Sequence, residues 1–233
     1  MRLIGVLGGM SWESTALYYR AMNEAARETL GGLHSARILL QSVDFEEIQR
    51  YQHEADWNAC ARILVEAAQG LKAGGAAFLV IATNTMHKLA TEVGEGSGLE
   101  VLHIADPTGA AIADAGHRTV GLLATRFTME ERFYRDRLEG KFGLEVRLPD
   151  QGERDDVHRI IYEELCLGRV EDGSRRRYLK IMERMRREGC DAFILGCTEI
   201  TMLIDASNSP VPVFDTTVLH ARAAVACALE AAE

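Results

Sequence analysis

Paired cysteines and clustered metal ligands are missing from this chain. Its five cysteines (Cys60, Cys166, Cys190, Cys197 and Cys227) are odd in number, scattered, and never spaced CxxC. That excludes a disulfide framework and a zinc site, and the thiols read as reduced groups of a cytoplasmic protein. None of the seven histidines falls in an HExxH pattern or a His/Asp cluster, so no metal is expected. Positive charge is also short: 26 Lys and Arg against 35 Asp and Glu leave a net charge of −9. Nucleic acid and anionic membranes need concentrated Lys and Arg, and are excluded as main partners. The one basic cluster, Arg175-Arg176-Arg177 with Arg184, Arg186 and Arg187, is mixed with acids and reads as a solvated helix face. No apolar run approaches the ~20 residues of a membrane span. The opening "MRLIGVLGGMSWEST" has too short an apolar run and too much glycine for a signal peptide, and is expected to form a buried strand.

What is present is an ordinary globular composition, 47% apolar and 26% charged, in 233 residues. That length suffices for one large domain or two lobes with cores of their own. Short β-type runs alternate with helical stretches, the pattern of a parallel α/β sheet. Strands are predicted at Leu3–Leu7, Ile38–Val43, Ala77–Ile81, Thr119–Leu123, Leu144–Leu148 and Ala192–Leu195. Helices are predicted near 12–29, 56–73, 86–93, 129–140, 153–167 and 173–188, and the alanine-rich stretch 216–233 is also helical in pattern. Ser11 is the expected N-cap of the first helix, and Thr128 with Glu131 has capping-box spacing.

The order repeats. "RLIGVLGGMSWESTALYY" (2–19) lies on "RTVGLLATRFTMEERFYR" (118–135), pairing Gly5 with Gly121 and Leu7 with Leu123. "GGAAFLVIATNT" (74–85) resembles "GCDAFILGCTEI" (189–200), with a register the repeat alone leaves open between Ala82 and Thr83 as the counterpart of Cys197. The expected fold is therefore α/β, with two pseudo-symmetric Rossmann-like lobes of mainly parallel strands. The first spans residues 1–105 and is completed by a C-terminal helix at 215–233; the second spans 106–214. Ligands of such sheets bind beyond the carboxyl ends of the strands. The polar clusters expected there, facing a cleft between lobes, are Gly8–Ser11, Asp44 and Thr83–Thr85 in one half, and Thr125–Thr128, Asp150 and Cys197–Glu199 in the other.

Cys197 ends a buried strand in "ILGCTEI". It is either one more small core residue or a thiol whose pKa the following N–H groups lower, making it a nucleophile or general base. "GVLGGMS" (5–11) could hold an anion on its N–H groups or be a plain strand-to-helix turn; it is neither a P-loop nor GxGxxG. In "ATNTMHK" (82–88), Asn84, Thr85 and His87 could bind a carboxylate or cap the next helix.

"GVLGGMSWEST", "TNTMHK", "VGLLAT" and "GCTEI", in this order and spacing, resemble the aspartate/glutamate racemase superfamily over essentially the whole chain. The resemblance implies two α/β lobes, a cytoplasmic homodimer, no cofactor, an amino-acid substrate, and two cysteines flanking the α-carbon. The second-lobe cysteine of that motif is Cys197; the first falls on Thr83, a threonine. Cys166 stands where aspartate racemases resemble one another in carrying a lysine, and no arginine follows "VDF". The implied site comprises Cys197 as main acid/base and Thr83 on the opposite face. Asn84, Thr85, Thr125 and Thr198, with the N–H groups of Met10 and Ser11, would hold the carboxylate and enolate. Glu199 and Gln52 would hold the amino group or side chain. The branch with threonine at this place implies a preference for L-aspartate and L-glutamate. Two other readings stay open: a single-cysteine malonate decarboxylase or maleate isomerase, and a non-catalytic amino-acid-binding protein.

Overall fold

A computed structural model describes residues 1–230 of the chain. It divides into two compact units, Met1–Ile104 with the chain from His220 onward, and Ala105–Leu219. The first contains β1 (Ile4–Gly8), α1 (Trp12–Leu30), β2 (Ile38–Ser42), α2 (Phe45–His53), α3 (Trp57–Ala73), β3 (Phe78–Ile81), a 3-10 turn (Thr85–Leu89) and α4 (Ala90–Ser97). The second contains α5 (Ala105–Asp114), β4 (Thr119–Ala124), α6 (Arg126–Glu130), α7 (Arg132–Phe142), β5 (Glu145–Arg147) and α8 (Gln151–Glu163). It continues through a 3-10 turn (Leu165–Leu167), α9 (Asp172–Arg187), β6 (Ala192–Gly196), a second such turn (Thr198–Met202) and β7 (Val213–Asp215). α10 (Thr216–Glu230) begins in the second unit and runs into the first. The last three residues of the predicted C-terminal helix lie outside the described residues.

Both sheets are parallel throughout, ordered β2-β1-β3 and β5-β4-β6-β7. The protein is thus mixed α/β with two parallel sheets. In the first sheet Ile4, Val6, Phe78 and Val80 pack on Tyr18, Met22 and Ala26 of α1 and on Ala221, Ala224, Val225 and Ala228 of α10. Leu7, Leu79 and Ile81, alternating with them, face Leu64, Ala68 and Leu71 of α3. Strands covered on both faces carry near-continuous apolar runs, which is why they were legible. In the second sheet Val120, Leu122, Ile194 and Leu195 are buried, as are Ile160 of α8 and Ile181 and Met182 of α9. Gly121 is required here: a Cβ would sit 2.2 Å from the Phe193 ring.

Every predicted strand is present to within one residue at each end. α2, α5 and β7 were not anticipated. The expected Thr128–Glu131 capping box is corrected: Thr125 is the N-cap of α6 and accepts from the Thr128 amide at 3.4 Å, while Thr128 lies inside that helix. Ser11 caps α1 as expected, accepting from the Ser14 amide at 3.3 Å. Asp44 and Asp150, expected among the ligand-facing groups, cap α2 and α8, the latter in a capping box with Glu153. Five arginines of α9 are paired as expected of a charged helix face: Arg175 with Asp172, Arg177 with Asp156, Arg184 with Glu153 and Glu188, and Arg186 and Arg187 with Glu183. Among the described residues, no helix is long and apolar enough to cross a membrane.

Candidate active site

The carboxyl ends of neighbouring strands bring the candidate residues together within each unit. In the first, Met10 and Ser11 follow β1 and Thr83, Asn84 and Thr85 follow β3, the strand paired beside it. Met10, Ser11, Asn84 and Thr85 are all buried. Gln52 lies on α2 and approaches Met86, the residue after Thr85; it is 4% exposed, its Nε2 lies 4.0 Å from Met86 Sδ, and its Oε1 is buried without a hydrogen-bond partner. Not every amide of the glycine loop is available to an anion. The Gly9 N–H donates to Thr15 Oγ1 at 2.8 Å, and Thr15 Oγ1 donates to the Ser11 carbonyl at 2.9 Å. The Met10–Ser11 peptide is cis.

In the second unit, Thr125 follows β4, and Cys197, Thr198 and Glu199 follow its neighbour β6. Thr125, Thr198 and Glu199 are buried, whereas Cys197 keeps partial exposure. The Cys197 thiol donates to Glu199 Oε2 at 2.9 Å, and Thr198 Oγ1 donates to the same oxygen at 2.9 Å. The sequence left open whether the following N–H groups lower the thiol pKa. The Glu199 amide does lower it, but burial first, then the Glu199 carboxylate and Cys166, outweigh it and push the thiol well above its ordinary 9.0. The turn after Cys197 is a five-residue 3-10 segment, too short to build a substantial dipole, and the carboxylate two residues on reaches back to the sulfur.

Strand register settles the counterpart of Cys197. Ile4 pairs with Phe78 and Leu7 with Ile81; at the matching places of the second sheet, Val120 pairs with Ala192 and Leu123 with Leu195. Two residues beyond Ile81 is Thr83, and two beyond Leu195 is Cys197. The two therefore occupy equivalent strand ends, as do Thr85 and Glu199. Thr83 is also only partly buried.

Two residues carry more than the sequence indicated. Tyr162, in α8, has its phenol pushed up by burial and then by Cys197, Cys166 and Glu199, which puts it in the same electrostatic neighbourhood. It stands in "YEELCLG", the segment singled out for Cys166. His87, weighed as a carboxylate ligand or helix cap, instead turns inward: its Nδ1 lies 2.8 Å from the Thr83 carbonyl and its Nε2 3.2 Å from the Ile104 amide.

This pair of parallel sheets, with polar clusters at the strand ends, defines a class that comparison with known proteins makes specific. The family model of Asp/Glu/hydantoin racemases matches residues 7–224, and the chain belongs to that family. It is similar to a candidate Asp/Glu racemase from Yersinia pestis, with a TM-score of 0.92 and 50% identity, covering 98% of this chain and 100% of that one. An aspartate racemase homologue from Pyrococcus horikoshii gives a TM-score of 0.84 at 33% identity, over 98% and 99% of the two chains. The broad specificity amino-acid racemase RacX of Bacillus subtilis is 21% identical over 235 residues, 96% of each chain.

Proposed function

We propose that this protein is a cofactor-independent amino-acid racemase that acts on aspartate- and glutamate-like L-amino acids by removing and returning the α-proton. The observation that carries the reading is the pairing of Cys197 and Thr83 at register-equivalent carboxyl ends of β6 and β3, both partly open to solvent. The candidate groups are a thiol, hydroxyls, amides and a carboxylate, which bind an amino acid and move its proton directly.

In this mechanism the empty site holds Cys197 as a thiol, hydrogen-bonded to Glu199. A substrate ammonium beside Glu199 offsets the negative charge that disfavours the thiolate, so the thiol releases its proton to water and binding itself prepares the base. The thiolate takes the α-hydrogen: the C–H bond breaks, an S–H bond forms, and the electron pair passes into the enolate of the carboxylate. Asn84, Thr85, Thr125 and Thr198, with the N–H groups of Met10 and Ser11, hold that developing charge, and Gln52 binds the amino group or side chain. Thr83, alone or through water, returns a proton to the opposite face. A hydroxyl is a far weaker acid than a thiol, so the two directions are unequal. A cytoplasmic homodimer belongs to the same proposal.

The test is incubation of each enantiomer of aspartate and glutamate in D₂O, following the α-proton by NMR. Exchange much faster from one enantiomer, and lost in Cys197→Ser, supports the reading. No exchange with any amino acid overturns it. Carbon dioxide from substituted malonates, or fumarate from maleate, would move the protein to a decarboxylase or isomerase instead. Stabilisation by an amino acid, unchanged in Cys197→Ser and without exchange, would make it a binding protein.

A further inference from the structure

Three histidines of the first unit, His87, His103 and His220, are buried side by side at 2%, 7% and 0% exposure. Their rings are in contact, His87 with His103 at 4.7 Å and with His220 at 5.5 Å between centroids. The partners of His87 fix its protonation. A backbone amide can only donate, so the Ile104 N–H makes His87 Nε2 an acceptor; the proton then sits on Nδ1, which donates to the Thr83 carbonyl at 2.8 Å. His220 Nε2 donates to the Leu102 carbonyl at 2.7 Å, because that oxygen can only accept, and its Nδ1 lies 2.9 Å from the Tyr18 hydroxyl. The two imidazoles thus hold the segment Leu102–Ile104, and His87 ties that segment to the Thr83 carbonyl.

We infer that His87 is a positioning residue, which sets the place of Thr83 for proton return to the opposite face of the α-carbon. The inference rests on the racemase reading of the site. The second sheet provides the contrast. The position equivalent to His87 is Thr201, whose hydroxyl donates to the Thr198 carbonyl at 2.7 Å and leaves the Cys197 carbonyl to the Ile200 amide at 3.2 Å. Only the strand end bearing the weaker acid/base group has its carbonyl held by an imidazole that is itself anchored to a distant segment. That asymmetry is chemically apt. A thiolate tolerates some displacement because it is an intrinsically competent base, whereas a hydroxyl at neutral pH depends on alignment.

The experiment compares wild type with His87→Gln and His87→Asn, using L-aspartate and L-glutamate in D₂O. Asparagine keeps a donor at the place of Nδ1 and so the bond to Thr83; glutamine keeps an acceptor at the place of Nε2 and so only the bond to Ile104. The readout is the amount of mirror-image product formed per α-deuterium incorporated. In His87→Gln this ratio falls by about tenfold or more while incorporation stays within about twofold, since small misplacement of a reacting group costs one to two decades. In His87→Asn the ratio stays within about threefold of wild type. An unchanged ratio in His87→Gln, or an equal fall in both variants, overturns the inference. Nitrogen-15 NMR of the wild-type protein checks it independently of refolding: the Nδ1–H tautomer at His87 supports it, and the Nε2–H tautomer sinks it. Absence of any deuterium incorporation by the wild type would instead remove the racemase reading beneath it.

Discussion

Replacing Glu199 by glutamine isolates the charge that holds the Cys197 proton in place. The substitution keeps side-chain length and a hydrogen-bonding oxygen, and removes one negative charge whose nearer oxygen lies 2.9 Å from the sulfur. Even with the full dielectric of water, two unit charges at that distance repel by about 1.4 kcal/mol, and at an effective constant near 20 by several times more. The smaller figure already changes the thiolate population about tenfold at fixed pH. Glu199 is 7% exposed, so aqueous screening sets a lower bound rather than the expected effect.

The assay is site-resolved alkylation by iodoacetamide, quantified by mass spectrometry on the peptide carrying Cys197, across pH 6 to 11. In the wild type, burial and Glu199 raise the thiol above 9.0, so reaction at Cys197 is slow at neutral pH and rises only as pH climbs past that value. In Glu199→Gln the same rise occurs at lower pH, and the rate at pH 8 is at least about ten times greater. α-Proton exchange by the wild type follows the thiolate and therefore also increases with pH. The variant responds differently: its thiolate is more abundant but a weaker base, and the proposed partner of the substrate ammonium is gone, so exchange at saturating substrate changes less than alkylation while KM rises. Equal alkylation profiles in the two proteins would refute the electrostatic account.

Thr83→Cys places a thiol at the register-equivalent strand end, and exchange from the slow enantiomer should increase by about tenfold or more, bringing the two directions closer; NMR in D₂O reads both. Gly9 has φ +92°, and a Cβ there would lie 2.2 Å from the Val43 carbonyl oxygen. Gly9→Ala should therefore cost about 2 kcal/mol or more and lower Tm by at least ~5 °C, whereas Gly143→Ala, in the left-handed helical region at φ +66° with open space around it, loses only the roughly 1 kcal/mol of backbone strain. Burial alone would raise the Asp106 carboxyl, but Arg137 and Lys141 bind it at 2.5–2.8 Å and hold it at about 2 against an ordinary 3.8. Its contribution is present above the ordinary value and is lost as pH falls through about 2; with Arg137 and Lys141 39% and 54% exposed, it is about 1 kcal/mol. The Tm difference between wild type and Asp106→Asn should accordingly shrink between pH 5 and pH 2.

Strands and long helices were legible because the fold buries them in the simplest way. β1, β3, β4 and β6 are covered on both faces, so an uninterrupted apolar run marks each one. β7 escaped notice because only three residues pair, directly after Pro210 and Pro212, and none of them is fully buried. α2 escaped because it is nine residues long with two buried side chains, Ile48 and Gln52, and its cap Asp44 had been assigned to the ligand. α5 carries Pro107 in its first turn, where proline is tolerated but reads as a breaker. The site was legible as a set of strand ends and not as a set of charges. "GCTEI" located the thiol, but local spacing could not show that Glu199 folds back on it, and that contact decides the direction of the pKa shift. His87 was visible in "TNTMHK"; its true partner, Ile104, is 17 residues away and could be found only from coordinates.

The repeated register separates what the scaffold fixes from what the local residues choose. The scaffold fixes where a reactive group can stand: two residues past the third-strand pairing, followed by a 3-10 turn, in both sheets. The residues there are Cys-Thr-Glu at one end and Thr-Asn-Thr at the other. The first combination carries a negative charge, suits a cation, and keeps its thiol protonated until a cation arrives. The second is neutral, offers hydroxyls and an amide, and suits an anion. Under the racemase proposal, a zwitterionic amino acid would bring one of each, so the substitutions that would make the two proton transfers unequal would also give the substrate a preferred direction. An enzyme working this way would need not two matched bases but one strong base that its substrate switches on and one weak group that the scaffold holds still.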